Sequence, residues 1–523
     1  MTDNDSHTSN RRIDRRRFIA AAGATGIAGL AGCSGGGGED TPSGSGSGGS
    51  GSGSGGSGGS GSGSGGTTTG ENSGSTVTLL LMSGSMSDEP SNKKYWQNAA
   101  ERFGEQVNGA EMELRGVPYP NQFKKIRASI QAGQGDVPHL NEVSNQINNV
   151  QAGEVLRLKE EGLWGQSKLS EKIADGVLSL NEKWGEQVTG TEGKLVTWGV
   201  GLRPFMNAYR KDWLSAAGLS AEDVNRSAGA PNWYDGSGSG PSMFNEVYPA
   251  MNETDLAAPD DAAPDTTGMK QADEEILVDY IAAWGVSLMG PVNNAATRSI
   301  LDTERGRDVI RFQKEGIDKG YFHPNSINHG DEEATTLMWS NKMGAIHVQD
   351  TADLWGSFRQ QLGPDKYEQN YTWGLPPVGP GSEGQKAMFS VNPALIPFAQ
   401  AYDSQAEKDA SVDFIDFFTG SEESIVRTKN LGWVPANPTA LEGDWFSSTS
   451  LHEKYWSTVK TLVEDYTPAA QPAVQGTTKI SFEIPRKMHQ RILQQEMSVE
   501  KATQLAADEI NQILKDQGRY QAR

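Results

Sequence analysis

The chain has 523 residues, of which 46 are basic and 67 acidic, for a formal net charge of −21, and it holds a single cysteine. A surface this acidic repels nucleic acid and anionic lipid head groups, and a lone cysteine excludes an internal disulfide. The length suits one large or two medium domains.

Near the start, Asp14-Arg15-Arg16-Arg17-Phe18-Ile19 leads into an apolar run of small residues over 18–31. A basic start followed by a short apolar stretch describes an export signal. As a helix the run is too short to span a bilayer of about 30 Å. Arg-Arg before Phe resembles the twin-arginine signal. Leu30-Ala31-Gly32-Cys33 resembles a lipobox, in which the cysteine becomes the first mature residue and carries lipid. Residues 1–32 are then the signal peptide and Cys33 the lipidation site. They hold five of the 46 basic and three of the 67 acidic residues, which leaves the rest near −23. Such a chain stays soluble where salt screens its self-repulsion over about 3 Å at 1 M. Signal, lipobox and acidity together resemble a haloarchaeal secreted lipoprotein.

Residues 33–75 form a tether. Every residue from 43 to 66 is Gly or Ser, a composition that builds no core. A flexible coil over 34–75 has an r.m.s. reach of about 35 Å. Gly55-Gly56-Ser57-Gly58-Gly59 matches a hydrolase elbow by composition alone, with no strand before it and no helix after it.

The body opens at 76–82 (Thr-Val-Thr-Leu-Leu-Leu-Met), a continuous apolar run that fits a buried parallel strand. A helix over 91–107 follows, with Tyr95, Ala99 and Phe103 on one face, then a strand over 111–117. Pro120 opens a helix through Phe123, Ile126 and Ile130, which Gly133-Gln134-Gly135 stops. Strands are expected at 194–200 and 206–209, and a short helix at 211–217 closed by Gly218. Between 228 and 273 the pattern dissolves into Gly, Ser, Pro and Asp, with loops at 235–240 and 257–267. Asp302 is expected to cap a helix carrying Val309, Phe312 and Ile317. Ser404-Gln405-Ala406-Glu407 is a capping box before a helix that stops at Gly420. Ser498 caps a final amphipathic helix. Alternating strands and helices favour an α/β body with mostly parallel sheets.

Five stretches carry a resemblance. They are Ala132-Gly133-Gln134-Gly135-Asp136-Val137-Pro138 within 125–143, and Tyr209-Arg210-Lys211-Asp212-Trp213-Leu214 within 193–219. The others are Asn341-Lys342-Met343-Gly344-Ala345-Ile346, Trp373-Gly374-Leu375-Pro376-Pro377-Val378-Gly379-Pro380-Gly381, and 498–514. In this order they resemble extracellular solute-binding proteins of ABC importers, of the carbohydrate, maltose-binding-protein-like type. His139 stands where that family has Asp, Arg210 where it has Asn, and Gln349-Asp350-Thr351-Ala352 where a Trp is frequent.

The resemblance implies two α/β lobes with the ligand in the cleft between them. It places 76–203 and 378–432 in the first lobe and 204–377 and 433–523 in the second. It implies a monomer that takes up a sugar or oligosaccharide and hands it to a membrane permease, on the outer face of the cell membrane. It implies no enzymatic activity, no cofactor and no metal. Strand-end residues Ser83, Ser85, Asn145, Gln146 and Asp350 are candidate ligand contacts. So are Arg203 on a crossing strand and the loop tryptophans Trp284, Trp355 and Trp433. Each tryptophan can instead be core, and Arg203 can instead join the lobes by a salt bridge. A secreted glycoside-acting enzyme, and a binder of glycerol phosphate, polyamine or peptide, stay open as alternatives. Replacing the lipidated residue, Cys33→Ser, is expected to release a folded protein into the medium; retention of the variant in washed membranes excludes that anchor.

Overall fold

The structure is a computed structural model that describes residues 76–88, 90–118, 121–133, 137–142, 147–234, 239–254, 290–322, 338, 344–352, 354–355, 366, 369–380, 384–442 and 450–522. The signal peptide, Cys33, the tether, the 257–267 loop, Asn145, Gln146 and Trp284 lie outside the described residues. Among the described residues, no helix is long and apolar enough to cross a membrane.

The apolar run becomes strand β1 (Val77–Ser83), buried from Leu79 onward. It is central because both of its edges are occupied. β2 (Ala110–Gly116) and β3 (Leu140–Glu142) run parallel on either side of it. A short helix α1 (Ser85–Asp88) and the amphipathic α2 (Pro90–Gln106) follow β1. Tyr95, Ala99 and Phe103 of α2 face the core as their spacing requires. Helix α3 (Asn121–Ala132) leads to β3, and α4 (Asp175–Thr189) to β4 (Trp198–Gly199).

The expected strands at 194–200 and 206–209 are instead the two-residue β4 and one long strand, β5 (Gly201–Arg210). β5 is the spine of the second sheet. Along its length it pairs antiparallel with β6 (Ala345–Asp350), β7 (Tyr371–Gly374), β8 (Ala387–Val391) and β10 (Val434–Pro435). β9 (Ala394–Pro397) returns the chain to the first sheet, antiparallel to β3 and β4, and β11 (Thr467–Ala469) runs parallel to β8. Both sheets are therefore mixed. The parallel set β2-β1-β3 was foreseeable; a chain that passes repeatedly between two sheets has to add strands in the opposite direction.

The chain changes sheet at Val200, at Asn392-Pro393 and at Gly432-Trp433. The first change comes before the expected boundary at 203, and the return comes later than 378. β7 and β8 both pair with β5, so 378–391 stays with the second sheet. Two glycines permit close contact at the first change. A Cβ on Gly199 would lie 2.1 Å from the Asn181 amide nitrogen, and one on Gly201 would lie 2.5 Å from the Val434 carbonyl oxygen.

The helical layers come from capped amphipathic segments. Ser404 accepts the Glu407 amide at 3.3 Å while the Glu407 carboxylate accepts the Ser404 amide at 2.9 Å, opening α7 (Gln405–Thr419). α8 (Ser421–Leu431) follows and ends at Gly432, whose φ of 70° reverses the chain. For α6 (Glu304–Asp318) the cap is Thr303, which accepts the Gly306 amide at 3.0 Å. Asp302 pairs instead with Arg298 at 3.3 Å. Helix α5 is Lys211–Ala216, α9 is Ser450–Asp465, α10 is Ile484–Leu493 and α11 is Val499–Asp516. One apolar cluster runs from Leu79 and Leu81 through Met206 and Trp373 to Trp456, and so joins the two sheets. A second gathers Phe312, Met488, Ile492 and Ile510 among α6, α10 and α11.

His489 on α10 is 2% exposed, and among the described residues neither ring nitrogen has a hydrogen-bond partner. Burial pushes its pKa down to about 4. The unfolded chain, near the usual value of about 6.5, therefore takes up a proton first as the pH falls. This stabilising difference is full above about pH 6.5 and is lost towards pH 4, by on the order of 3 kcal/mol. Urea midpoints of the wild type and His489→Leu at neutral and acid pH measure it. The wild type is expected to lose more stability than the variant across that window, and parallel losses refute the assignment.

Candidate ligand site

The carboxyl ends of β1 and β3 lie side by side, with Ser83 opposite Glu142 in register. The Glu142 carboxylate is held by three donors on one oxygen: the Ser83 hydroxyl, the Ser85 hydroxyl at 2.9 Å and the Ser85 amide at 3.2 Å. Ser83 is fully buried and also accepts the Met86 amide at 3.2 Å, which fixes the start of α1. Ser85 accepts the Trp96 indole N–H at 2.9 Å. The result is a half-buried carboxylate at a strand end, locked by hydroxyls and backbone. Such a group accepts hydrogen bonds from ligand hydroxyls without having to be ordered first.

Glu142 and Trp96 were missed by reasoning from sequence. The available signal was Glu142 itself, the charged residue that closes the short strand after Pro138. His139, in the Asp position of the family pattern, accepts the Leu80 amide through Nδ1 at 2.9 Å and meets Tyr402 edge-on at 5.1 Å. Burial lowers its pKa and so favours the neutral ring that this bond needs. The imidazole thus supplies the acceptor a carboxylate would supply. Arg210, in the Asn position, donates from Nε to Asp212 at 2.9 Å.

Arg203 and Asp350 come together on neighbouring strands. Arg203 Nε donates to Asp350 Oδ1 at 3.2 Å, and its Nη2 meets Oδ2. The Asp350 side chain is 4% exposed and also accepts the Ala352 amide at 2.7 Å, whereas Arg203 stays 27% exposed. The pair lies within the second sheet, since Asp350 is in register with Phe205. Asp350 thus holds Arg203 and the turn after β6, and Arg203 is the more open of the two.

The tryptophans depart from expectation. Trp355 is fully buried, 5.1 Å from Tyr455 and 5.3 Å from Trp456, and donates to the Lys429 carbonyl at 3.1 Å. Trp433 is 3% exposed and packs edge-on against Trp96 at 6.3 Å. Both are packing residues here in place of the open platforms expected. The reason is local: Gly432 turns the chain so that Trp433 folds under α2, and the turn after β6 carries Trp355 onto α8. Trp433 supports the site at one remove, through Trp96 to Ser85 and Glu142.

No family model and no curated protein matches the sequence. The fold does match solved structures. The GacH receptor of Streptomyces glaucescens, solved unliganded and with acarbose, superposes with a TM-score of 0.63 at 17% identity over 85% of this chain and 100% of its own. The cyclic α-maltosyl-1,6-maltose binding protein of Arthrobacter globiformis gives 0.63 at 16% over 84% and 99%. The sugar-binding protein MalE of Xanthomonas citri gives 0.65 at 15% over 84% and 98%. These likenesses establish the fold: two α/β lobes, each a sheet flanked by helices, with the chain crossing between them.

Its burial makes Trp433 a residue of stability. Trp433→Ala is expected to cost about 3–5 kcal/mol of stability, as for a core aromatic. Denaturant titration checks it, and a loss below about 1 kcal/mol returns the residue to the surface.

Proposed function

We propose that this chain is a solute-binding protein that captures a sugar or oligosaccharide in its cleft and delivers it to an ABC permease. The observation that carries the reading is the Glu142 carboxylate, fixed by Ser83 and Ser85 at the strand ends of a fold shared with sugar-binding proteins. In open α/β sheets, ligands bind outside the carboxyl ends of the strands. The Glu142 carboxylate there, and the part-exposed Arg203 guanidinium beside the carboxyl end of β6, match the donors and acceptors of a polyhydroxylated solute. In this reading residues 1–32 direct export, lipid on Cys33 anchors the chain outside the cell membrane, and 34–75 let the lobes reach the permease. The acidic surface fits a salty medium.

Thermal shift and calorimetric titration test the reading in molar salt, with maltose, maltotriose, tagatose, glycerol 3-phosphate, spermidine and trialanine. Binding to the folded state alone raises the melting temperature. Shifts with the maltodextrins and recovery of intact sugar support it. A shift confined to spermidine, trialanine or glycerol 3-phosphate replaces the sugar, and release of glucose over time replaces binding with hydrolysis. Glu142→Gln is expected to weaken the active sugar by roughly ten- to a hundredfold, the scale of a hydrogen bond to a charged group.

A further inference from the structure

Val200 is the residue between β4 and β5, where the chain first changes sheet. Its amide donates to the Pro393 carbonyl at 3.0 Å, and Pro393 belongs to the second crossing. Its carbonyl accepts the amide of Ala436, just past the third crossing, at 3.4 Å. The same carbonyl accepts Nη2 of Arg427 at 2.8 Å.

Arg427 stands on α8 and is fully buried. Its Nη1 donates to the Phe418 carbonyl at the end of α7, and Nη2 also reaches the Ser424 hydroxyl at 3.4 Å. The guanidinium lies 4.4 Å from the Phe418 ring centroid. Among the described residues, no carboxylate lies within ion-pairing distance of it, the nearby Glu423 carboxylate favours its charge from farther off while pairing with Arg102, and Nε has no hydrogen-bond partner. Desolvating a cation in this way is costly. A side chain that only filled space there would be apolar. Arginine supplies what an apolar side chain lacks: a permanently charged planar fork that spans two backbone carbonyls in fixed directions.

We propose that Arg427 is the positioning residue of the hinge: by holding the Val200 carbonyl to α8, it makes the first crossing move with the first lobe. Closure on a ligand then turns about the bonds after Val200. The link to ligand rests on the proposed sugar capture; the hinge itself does not.

Spin labels at Asn98→Cys on α2 and Lys501→Cys on α11, in the full chain carrying Cys33→Ser, report the distance between lobes with no sugar present. Arg427→Met is expected to widen that distance distribution about twofold, and Arg427→Lys, which keeps the charge but not the fork, to fall between it and the wild type. In Arg427→Met the Kd for maltotriose is expected to rise about tenfold. A folded Arg427→Met with an unwidened distribution overturns the proposal, because a merely structural arginine lowers melting without freeing the lobes. Failure of all sugars to bind, with the distribution still widened, overturns sugar capture and leaves the hinge assignment standing. If Arg427→Met does not fold, hydrogen exchange on the unsubstituted protein decides. Val200 and Ala436 amides are expected among the slowest, with those of α8, and exchange about a hundredfold faster overturns the pin.

Discussion

The two-lobed fold depends on the backbone of one residue, Val200. Among the described residues, every change of sheet is hydrogen-bonded to Val200, directly or through a residue no more than three positions away. The backbone of a residue other than proline offers one donor and a carbonyl with two lone pairs. Here the donor binds the second crossing, and the carbonyl takes the third crossing and a buried guanidinium. Beside it, Asn181 of α4 accepts the Thr197 hydroxyl at 2.6 Å and the Asn392 amide at 2.9 Å, so the first and second crossings are also tied by side chains. Buried polar groups of this kind are costly when one partner is missing. The lobes can rotate about these bonds, but the crossings cannot separate without leaving buried groups unpaired.

The same helices join hinge and candidate site. Glu423 on α8 is nearly buried. It accepts the Tyr95 hydroxyl at 2.9 Å and two Arg102 donors at 2.9 Å, all from α2. One turn along α8 from Glu423 lies Arg427, on the hinge. Next to Tyr95 on α2 lies Trp96, on Ser85. Burial, with Glu423 beside it, raises the Tyr95 pKa and keeps the phenol a neutral donor. The position of Glu142 relative to Val200 is therefore set by the first sheet, where Leu395 pairs with both Glu142 and Trp198, and by two packed helices and a charged pair. In the proposed reading, a site held to the hinge in this way converts ligand contact into lobe orientation.

What the sequence disclosed follows from the range of the forces involved. The run at 76–82, the Tyr95-Ala99-Phe103 face and the Ser404 capping box are local patterns, and each became the element it implied. Ser83 and Ser85 were reached from their place after a strand. Glu142 was missed because its importance comes from Ser83 on a partner strand, 59 residues away in sequence. Arg427 was missed for the same reason, since Val200 lies 227 residues away. The tryptophans misled because Gly and Pro neighbours suggest a loop, whereas burial is decided by what packs over that loop. Trp433 lies under α2, and Trp355 lies against α9.

The aromatic core and the acidic surface answer each other. Many like charges on one body repel and favour expansion. In this chain Trp96, Trp198, Trp213, Trp233, Trp355 and Trp456 are among the largest fully buried side chains. Each removes a large apolar area from water and makes many dispersion contacts in a space that polar residues would leave underfilled. The Trp355-Tyr455-Trp456 group also spans the seam, since Tyr455 donates to the Thr351 carbonyl at 2.6 Å while Trp355 donates to α8. Turning Trp355 and Trp433 inward therefore strengthens the body against its own charge. It leaves the described part of the candidate site to polar groups, the Glu142 carboxylate and the Arg203–Asp350 pair.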